Sequence, residues 1–163
     1  MKKDTKKLVT ASLFTALSCI LTLFSFPLPY GYANLGDCMV LLGSFVMGPF
    51  YGCLAGGIGT ALADLFLGYG IYAPATLVIK ALVALVAGAI YQKMSKKGVI
   101  SVIIAGIAGE IIMVAGYFLY ECFVIGYGLG AAASLFGNTM QAVVGIIASA
   151  VIFPVIRKIR SVK

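Results

Sequence analysis

Long apolar stretches, separated by short connections rich in turn residues, make up most of this chain of 163 residues. Hydrophobic residues account for 62% of the sequence and charged residues for only 10%, and the mean hydropathy is +1.10. A helix needs about 20 mostly apolar residues to cross a bilayer, and several stretches reach that length. The sequence therefore predicts an all-α integral membrane protein that forms a single domain over residues 1–163.

Turn residues divide the apolar sequence into six predicted membrane-spanning helices. These spans cover residues 8–26, 36–47, 50–67, 75–92, 99–120 and 132–156. The second span is too short for a perpendicular crossing, and the Gly48-Pro49 pair after it indicates a tight turn or a broken helix packed against its neighbours. The N-terminus has the basic flank and apolar core of a signal peptide, but without a clear cleavage site we expect a retained first helix.

The distribution of basic residues indicates the orientation. Six crossings place both termini on one side of the membrane, and eleven of the twelve Lys and Arg residues fall on that side. By the positive-inside rule, this side is cytoplasmic. The net charge of +7 is thus explained by topology rather than by nucleic-acid binding, with a weak attraction to anionic lipid of the bilayer expected in addition.

Polar residues within the apolar segments indicate a binding site. Four of the five carboxylates and one lysine lie in or against these segments, namely Asp37, Asp64, Glu110, Glu121 and Lys80. A bare charge at the centre of a membrane helix costs about 2.5 kcal/mol or more, so such residues usually handle a ligand or an ion.

Depth can be estimated from the rise of about 1.5 Å per helical residue. This estimate places most of the charged residues within the apolar segments in the outer half of the membrane. Asn138 and Gln141, whose spacing puts them on one helix face, lie at the same depth. Glu110 lies nearer the middle. The site is therefore predicted to open outward, and the inner half offers only hydroxyls and small residues, which argues against a channel.

Two of these groups leave alternatives open. Asp64 and Lys80 are expected either to form a structural ion pair or to bind a ligand, and a polar ligand can also open such a pair. Glu110 has no basic residue at its predicted depth, so it is expected to be protonated or held by hydroxyls, amides or a ligand.

The outer connections contain no Lys or Arg but are rich in tyrosine. Seven of the nine tyrosines lie there or at the adjoining helix ends: Tyr30, Tyr32, Tyr69, Tyr72, Tyr117, Tyr120 and Tyr127. They form either an interfacial aromatic belt or the lining of a pocket, since the cytoplasmic side has only two tyrosines.

Small residues recur four positions apart, which allows helices to approach closely. The rows are Ala11 with Thr15 and Ser12 with Ala16, then Gly48, Gly52, Gly56 and Thr60, and finally Gly145 with Ser149. Packing within the bundle is one interpretation. The row in the first helix is also suited to docking of a partner membrane protein.

Enzyme chemistry is not favoured. The chain has no histidine, and its four cysteines are scattered singly, so neither a metal site nor an activated nucleophile is predicted. No cofactor is expected. A stand-alone proton-coupled secondary transporter of a small polar solute is the alternative class, although no paired internal repeat is evident.

Four short segments and a lysine carry a pattern that extends over the whole chain. They are Tyr32-Ala33-Asn34-Leu35-Gly36-Asp37, Gly48-Pro49-Phe50-Tyr51-Gly52, Ala61-Leu62-Ala63-Asp64-Leu65, Tyr72-Ala73-Pro74-Ala75-Thr76, and Lys80. In order and spacing they resemble the S component, the substrate-binding membrane subunit, of energy-coupling factor (ECF) vitamin transporters. They are most similar to the branch assigned to riboflavin, hydroxymethylpyrimidine or pyridoxine.

The resemblance implies a multi-pass protein of the prokaryotic plasma membrane with no ATPase activity of its own. Its partners would be a membrane T component and two ATP-binding-cassette ATPases, which fits the absence of a Walker-type motif. In the family an A-x-x-x-A face on the first helix contacts the T component. The matching positions here are Ala11, Ser12, Thr15 and Ala16, which keep the small size but not the alanine pair.

The substrate implied by the resemblance is a small aromatic vitamin. The residues expected to bind it are Tyr32, Asn34, Asp37, Asp64, Tyr72, Lys80, Glu110, Tyr117, Glu121, Asn138 and Gln141. Pyridoxine, as a zwitterion, and hydroxymethylpyrimidine, with its aminopyrimidine ring, suit a site that offers an ammonium and carboxylates. Riboflavin is the larger alternative.

Overall fold

The computed structural model describes residues 3–27, 32–94 and 98–161, most of which are helical. The six α-helices are α1 (Lys3–Leu23), α2 (Gly36–Met47), α3 (Pro49–Phe66), α4 (Ala73–Met94), α5 (Val99–Tyr120) and α6 (Ala132–Ser161). A π-helical turn at Glu121–Ile125 extends α5, and a 3-10 turn at Gly128–Ala131 leads into α6. The predicted helical architecture is confirmed.

The first predicted span is wrong at its C-terminal end. α1 stops at Leu23, and Ser25–Pro27 forms a short strand, β1, that pairs antiparallel with β2 (Tyr32–Asn34), so the fold is not purely helical. The physical reason is Pro27, because a proline disfavours helical backbone at the residue before it and cannot donate the helical hydrogen bond to the carbonyl four residues earlier, that of Leu23.

Four of the described helical segments are long and apolar enough to cross a membrane. They are Thr5–Leu23, Ala73–Met94, Val99–Ile125 and Gly128–Ile159. α3 has 18 residues and α2 only 12. Six crossings and cytoplasmic termini therefore stay predictions.

α2 forms the centre of the bundle. Its twelve residues include nine that are buried, and it packs against α1, α3, α4 and α6. Val40, Leu41 and Leu42 are completely buried in the core. Gly48, at φ +92°, makes the turn into α3 in a backbone conformation that favours glycine. The predicted short helix packed against its neighbours is confirmed.

The glycine row of α3 serves packing within the bundle. A Cβ added at Gly52 would lie 2.4 Å from the Cα of Ser44, and one added at Gly56 would lie 2.9 Å from a methyl group of Val40. Both neighbours belong to α2, so these glycines bring the two helices into backbone contact. A Cβ added at Gly145 of α6 would lie 2.9 Å from the Cβ of Asp37.

Candidate binding site at one end of the bundle

An ion pair between α2 and α4 lies at the base of the candidate site. The Lys80 ammonium donates to Oδ1 of Asp37, and the two side chains are only 4% and 1% exposed. Asp37 lies in the first turn of α2, where the helix dipole also favours a negative charge. The alternative that Lys80 pairs with Asp64 is wrong, because α2 passes next to α4 and brings Asp37 to the ammonium instead.

Amide groups extend this ion pair to α6 and β2. Nε2 of Gln141 donates to Oδ2 of Asp37 at 2.5 Å, and Nδ2 of Asn34 donates to Oε1 of Gln141 at 3.2 Å. Oδ1 of Asn34 accepts from the backbone N–H of Gly36 at 2.9 Å. All of these side chains are buried, so the network fixes Gln141 and Asn34 in one orientation.

The Asn34-Leu35-Gly36-Asp37 segment also brings α1 close to α2. A Cβ added at Gly36 would lie 2.0 Å from Oγ1 of Thr22. Only glycine fits there, and Thr22 lies in the last turn of α1. Within four positions, this segment thus provides Asn34 for the hydrogen-bond network, Gly36 for the close contact with α1 and Asp37 for the ion pair.

A cavity of about 200 Å³ lies above this network, at the end of the bundle away from both termini. Its lining comes from α1, β2, α3, the connection to α4, α4, α5 and α6, and consists of Thr22, Asn34, Thr60, Asp64, Tyr69, Tyr72, Thr76, Lys80, Tyr117, Glu121, Ser134, Gly137, Asn138 and Gln141. Eight of the predicted substrate-binding residues are in this set, so the structure brings them together. Whether they bind a ligand stays a prediction.

Two of the predicted residues, Asp37 and Glu110, are not part of this lining. Asp37 lies behind Lys80 and Gln141, to which it is bonded. Glu110 is 2% exposed, and neither carboxylate oxygen has a hydrogen-bond partner among the described residues. Asp37 and Lys80 act on it electrostatically, which corrects the expectation that no basic residue is near. The side chain of Tyr32 lies outside the described part of the chain.

Aromatic rings form one wall of the cavity. The Lys80 ammonium lies 5.6 Å from the ring centroid of Tyr117, a cation–π distance. The hydroxyls of Tyr117 and Thr76 are 2.8 Å apart, which holds the ring in place. Tyr72 packs against Tyr69 and Tyr120 with centroid distances of 6.5 and 5.9 Å. For Tyr69, Tyr72 and Tyr117, the structure favours the pocket over the interfacial belt.

Glu121 closes one edge of the cavity. Its Oε1 accepts from the Tyr72 hydroxyl at 3.4 Å, and its Oε2 accepts from the Ser134 hydroxyl. Burial, and the Glu121 carboxylate beside it, raise the pKa of the Tyr72 phenol above its ordinary value. The phenol therefore stays protonated at neutral pH and remains a hydrogen-bond donor.

Asp64 lines the cavity and has one buried carboxylate oxygen that is unpaired among the described residues. Its side chain is 4% exposed, and Oδ2 has no hydrogen-bond partner among residues 3–27, 32–94 and 98–161. A buried carboxylate oxygen without a partner is costly in a folded protein. A ligand that donates a hydrogen bond would offset this cost.

Sequence reasoning missed the hydroxyl groups of the lining. Thr22, Thr60 and Thr76 are buried, yet no charge marks them in an apolar sequence. Thr22 and Thr60 each donate to the backbone carbonyl four residues earlier. Because threonine often bonds to its own helix in this way, its sequence context gives no signal of a site.

The predicted partner-docking residues lie together in a groove between α1 and α3. Ala11, Ser12, Thr15 and Ala16 share an apolar groove with α3 residues including Leu54, Ile58 and Leu62, and the groove measures about 520 Å³. The hydroxyls of Ser12 and Thr15 donate to carbonyls of their own helix at 3.0 and 2.9 Å. The groove therefore presents an almost wholly apolar surface.

Comparison with known proteins identifies a family. The family described as ECF-type riboflavin transporter, S component, matches residues 2–158. A protein of Pyrococcus woesei described as "Uncharacterized protein in gap 3'region" is 38% identical over 121 residues, which cover 74% of this chain and 79% of that protein.

Two further similarities extend over almost the full length. The thiamine precursor transporter HmpT of Lactococcus lactis subsp. cremoris (strain MG1363) is 29% identical over 160 residues, covering 96% of this chain and 90% of HmpT. A solved structure of the S component of a bacterial ECF transporter superimposes with a TM-score of 0.71 over 98% of both chains, at 24% identity. That likeness supports the fold.

Proposed function

Because the chain belongs to the family of S components of ECF-type riboflavin transporters, we propose that it is the substrate-binding subunit of an ECF-type importer. We further propose that its substrate is a single-ring thiamine precursor of the hydroxymethylpyrimidine type. The observation that carries this choice is the size and lining of the cavity above the Lys80–Asp37 pair.

The cavity is small for riboflavin, the vitamin in the name of the matching family. Its volume of about 200 Å³ is below the range of about 300–1,000 Å³ that is common for pockets holding drug-sized ligands. Riboflavin, with three fused rings and a ribityl chain, needs more space than this. A single substituted ring suits the volume.

The lining also matches an aminopyrimidine. Such a ring places an amino donor next to a ring-nitrogen acceptor; a carboxylate can accept from the amino group, and a side-chain amide can donate to the ring nitrogen. Asp64 offers its open Oδ2, and Asn138 supplies a side-chain amide on another wall. The Tyr117 ring provides an aromatic face for the heterocycle. The name of the relative HmpT supports the same substrate class.

Pyridoxine is the second candidate. The Lys80 ammonium and the Asp64 carboxylate both line the cavity, so each end of a pyridoxine zwitterion has an oppositely charged partner. The charge of Lys80 is already compensated by Asp37, which weakens its attraction for an anionic oxygen. Hydroxymethylpyrimidine needs no free cation and is therefore the better fit.

The importer would be completed by a T component and two ATP-binding-cassette ATPases. We place the cavity on the outer side of a prokaryotic plasma membrane and both termini in the cytoplasm. This placement is supported by the positions of Thr22 and Ser134, which line the cavity from the last turn of α1 and the first turn of α6. The groove between α1 and α3 is the proposed surface for the T component, because small apolar residues favour close helix packing in lipid.

Calorimetric titration of the detergent-purified protein tests this function. Hydroxymethylpyrimidine should bind more tightly than pyridoxine, and riboflavin should bind weakly or not at all. Tighter binding of riboflavin would contradict the proposed substrate while leaving the transport class intact. Failure of a tagged chain to co-purify with ATP-binding-cassette subunits from its native membrane would contradict the proposed assembly.

A further inference from the structure

A second cavity adjoins the one described above. It measures about 260 Å³ and is lined by Tyr72, Glu121, Tyr127, Gly130, Ala131, Ala133 and Ser134. Tyr72, Glu121 and Ser134 line both cavities. These three residues thus form a shared wall between an inner and an outer cavity.

Hydrogen bonds hold this wall closed. Glu121 accepts from the hydroxyls of Tyr72 and Ser134, one at each carboxylate oxygen, and it is only 7% exposed. Ser134 also contacts the backbone carbonyl of Ala131 at 2.9 Å. Because all three side chains are bonded to one another or to the backbone, the wall does not depend on a ligand to form.

The backbone fixes Glu121 in the same position. It begins the π-helical turn after α5, and its carbonyl accepts from the backbone N–H groups of Gly126 and Tyr127. Gly126 adopts φ +86°, a conformation that glycine adopts without strain. The turn therefore holds the Glu121 side chain between Tyr72, just before α4, and Ser134 on α6.

We propose that Glu121, held between Tyr72 and Ser134, is a specificity-determining residue that closes the site behind a single ring and excludes ligands carrying a second ring. The inference rests on the proposed function, since it assumes that one ring occupies the inner cavity. Joined, the two cavities would reach the volume range of about 300–1,000 Å³ that suits larger ligands. Removing the wall should therefore admit a two-ring ligand.

Thiamine is the matched probe, because it is the same pyrimidine with a thiazolium ring in place of the hydroxyl group. The experiment measures the affinities of hydroxymethylpyrimidine and thiamine for the wild type, Glu121→Ala and Glu121→Gln. Both variants remove the negative charge, but only Glu121→Ala removes the bulk of the wall. The difference between them thus reports on size and not on attraction to the thiazolium cation.

The preference is the ratio of the dissociation constants of thiamine and hydroxymethylpyrimidine. We expect Glu121→Ala to lower this ratio by about tenfold or more, the scale on which steric fit discriminates ligands. Glu121→Gln should keep the wild-type preference. An unchanged preference in Glu121→Ala, with hydroxymethylpyrimidine still bound, would overturn the inference alone. A wild type that binds no hydroxymethylpyrimidine would overturn the proposed function and this inference with it.

A second pair of variants decides the matter if Glu121→Ala does not fold. Tyr72→Ala removes another part of the shared wall, whereas Tyr127→Ala enlarges only the outer cavity. Thiamine should gain affinity relative to hydroxymethylpyrimidine in Tyr72→Ala and not in Tyr127→Ala. Equal behaviour of the two variants would contradict the proposed wall.

Discussion

Lys80 on α4 forms its ion pair with Asp37 on α2, in the interior of the bundle, where neither side chain is more than 4% exposed. The pair offsets part of the cost of burying two charges. It also leaves Asp64, a residue of the cavity lining, without a cationic hydrogen-bond partner among the described residues and with one carboxylate oxygen unpaired. Asp37 therefore has a structural role in the ion pair, whereas Asp64 remains available to a ligand.

Substitution Lys80→Met should destabilise the protein as well as weaken binding. It leaves Asp37 as an uncompensated buried charge, and breaking one half of a buried pair costs about 3–5 kcal/mol. We expect a clear fall in the thermal unfolding temperature in detergent. The double variant Asp37→Asn with Lys80→Met should recover most of the stability, because it removes both charges of the pair. Equal unfolding temperatures for Lys80→Met and the wild type would show that the pair contributes nothing.

Substitution Asp64→Asn should weaken binding with little effect on folding. Hydrogen bonds to charged groups contribute about 1.5–3 kcal/mol, so the dissociation constant for hydroxymethylpyrimidine should rise about tenfold or more. Titration calorimetry measures the change, and thermal unfolding of the ligand-free variant is the control. Unaltered affinity would remove Asp64 from the proposed contacts.

Substitution Glu110→Met should stabilise the ligand-free protein. Both carboxylate oxygens are buried without hydrogen-bond partners among the described residues, and an apolar side chain of similar length removes that cost. Because Glu110 does not line the cavity, vitamin affinity should change much less than in Asp64→Asn. Loss of binding in a well-folded Glu110→Met protein would instead assign this carboxylate to the ligand.

Filling the groove between α1 and α3 should separate transport from binding. Ala16 lies in the groove, whereas Leu13 of the same helix, 56% exposed, does not line it. We expect Ala16→Trp to reduce co-purification with the T component and vitamin uptake by cells, with affinity in detergent unchanged. Leu13→Trp is the matched control and should leave assembly intact. Equal loss of assembly in both variants would argue against docking at this groove.

The contact between α1 and α3 requires glycine at position 59. A Cβ added there would lie 2.4 Å from the carbonyl oxygen of Thr15, whereas one added at Gly130 meets nothing within 4 Å. Overpacking a close contact costs about 1–3 kcal/mol, so Gly59→Ala should lower the unfolding temperature and Gly130→Ala should not. A Gly59→Ala protein as stable as the wild type would contradict this close approach.

The helices could be predicted from the sequence because bilayer length and turn residues determine where apolar runs stop. The second predicted span, 36–47, coincides with α2. The strand at Ser25–Pro27 was missed because Phe26 and its neighbours are as apolar as the helix before them. Local hydropathy does not distinguish a short strand from the last turn of a membrane helix.

The partner of Lys80 could not be predicted from depth alone. Asp37 and Asp64 both lie near the outer end of the bundle in the predicted topology, and nothing in the sequence states which helix packs next to α4. The choice depends on the crossing of α2 and α4 and on Gly145, which allows α6 to approach Asp37. Such contacts join residues far apart in the chain and leave no local pattern.

Mass spectrometry of small molecules released by denaturing the purified protein is the most direct test of the central claim. The protein should be expressed in cells supplied with hydroxymethylpyrimidine, pyridoxine and riboflavin together, so that the three compete for the site. The account predicts that hydroxymethylpyrimidine is recovered in near-stoichiometric amount and is lost in Asp64→Asn. Recovery of riboflavin instead, or of no vitamin when all three also fail to bind in titration, would contradict it.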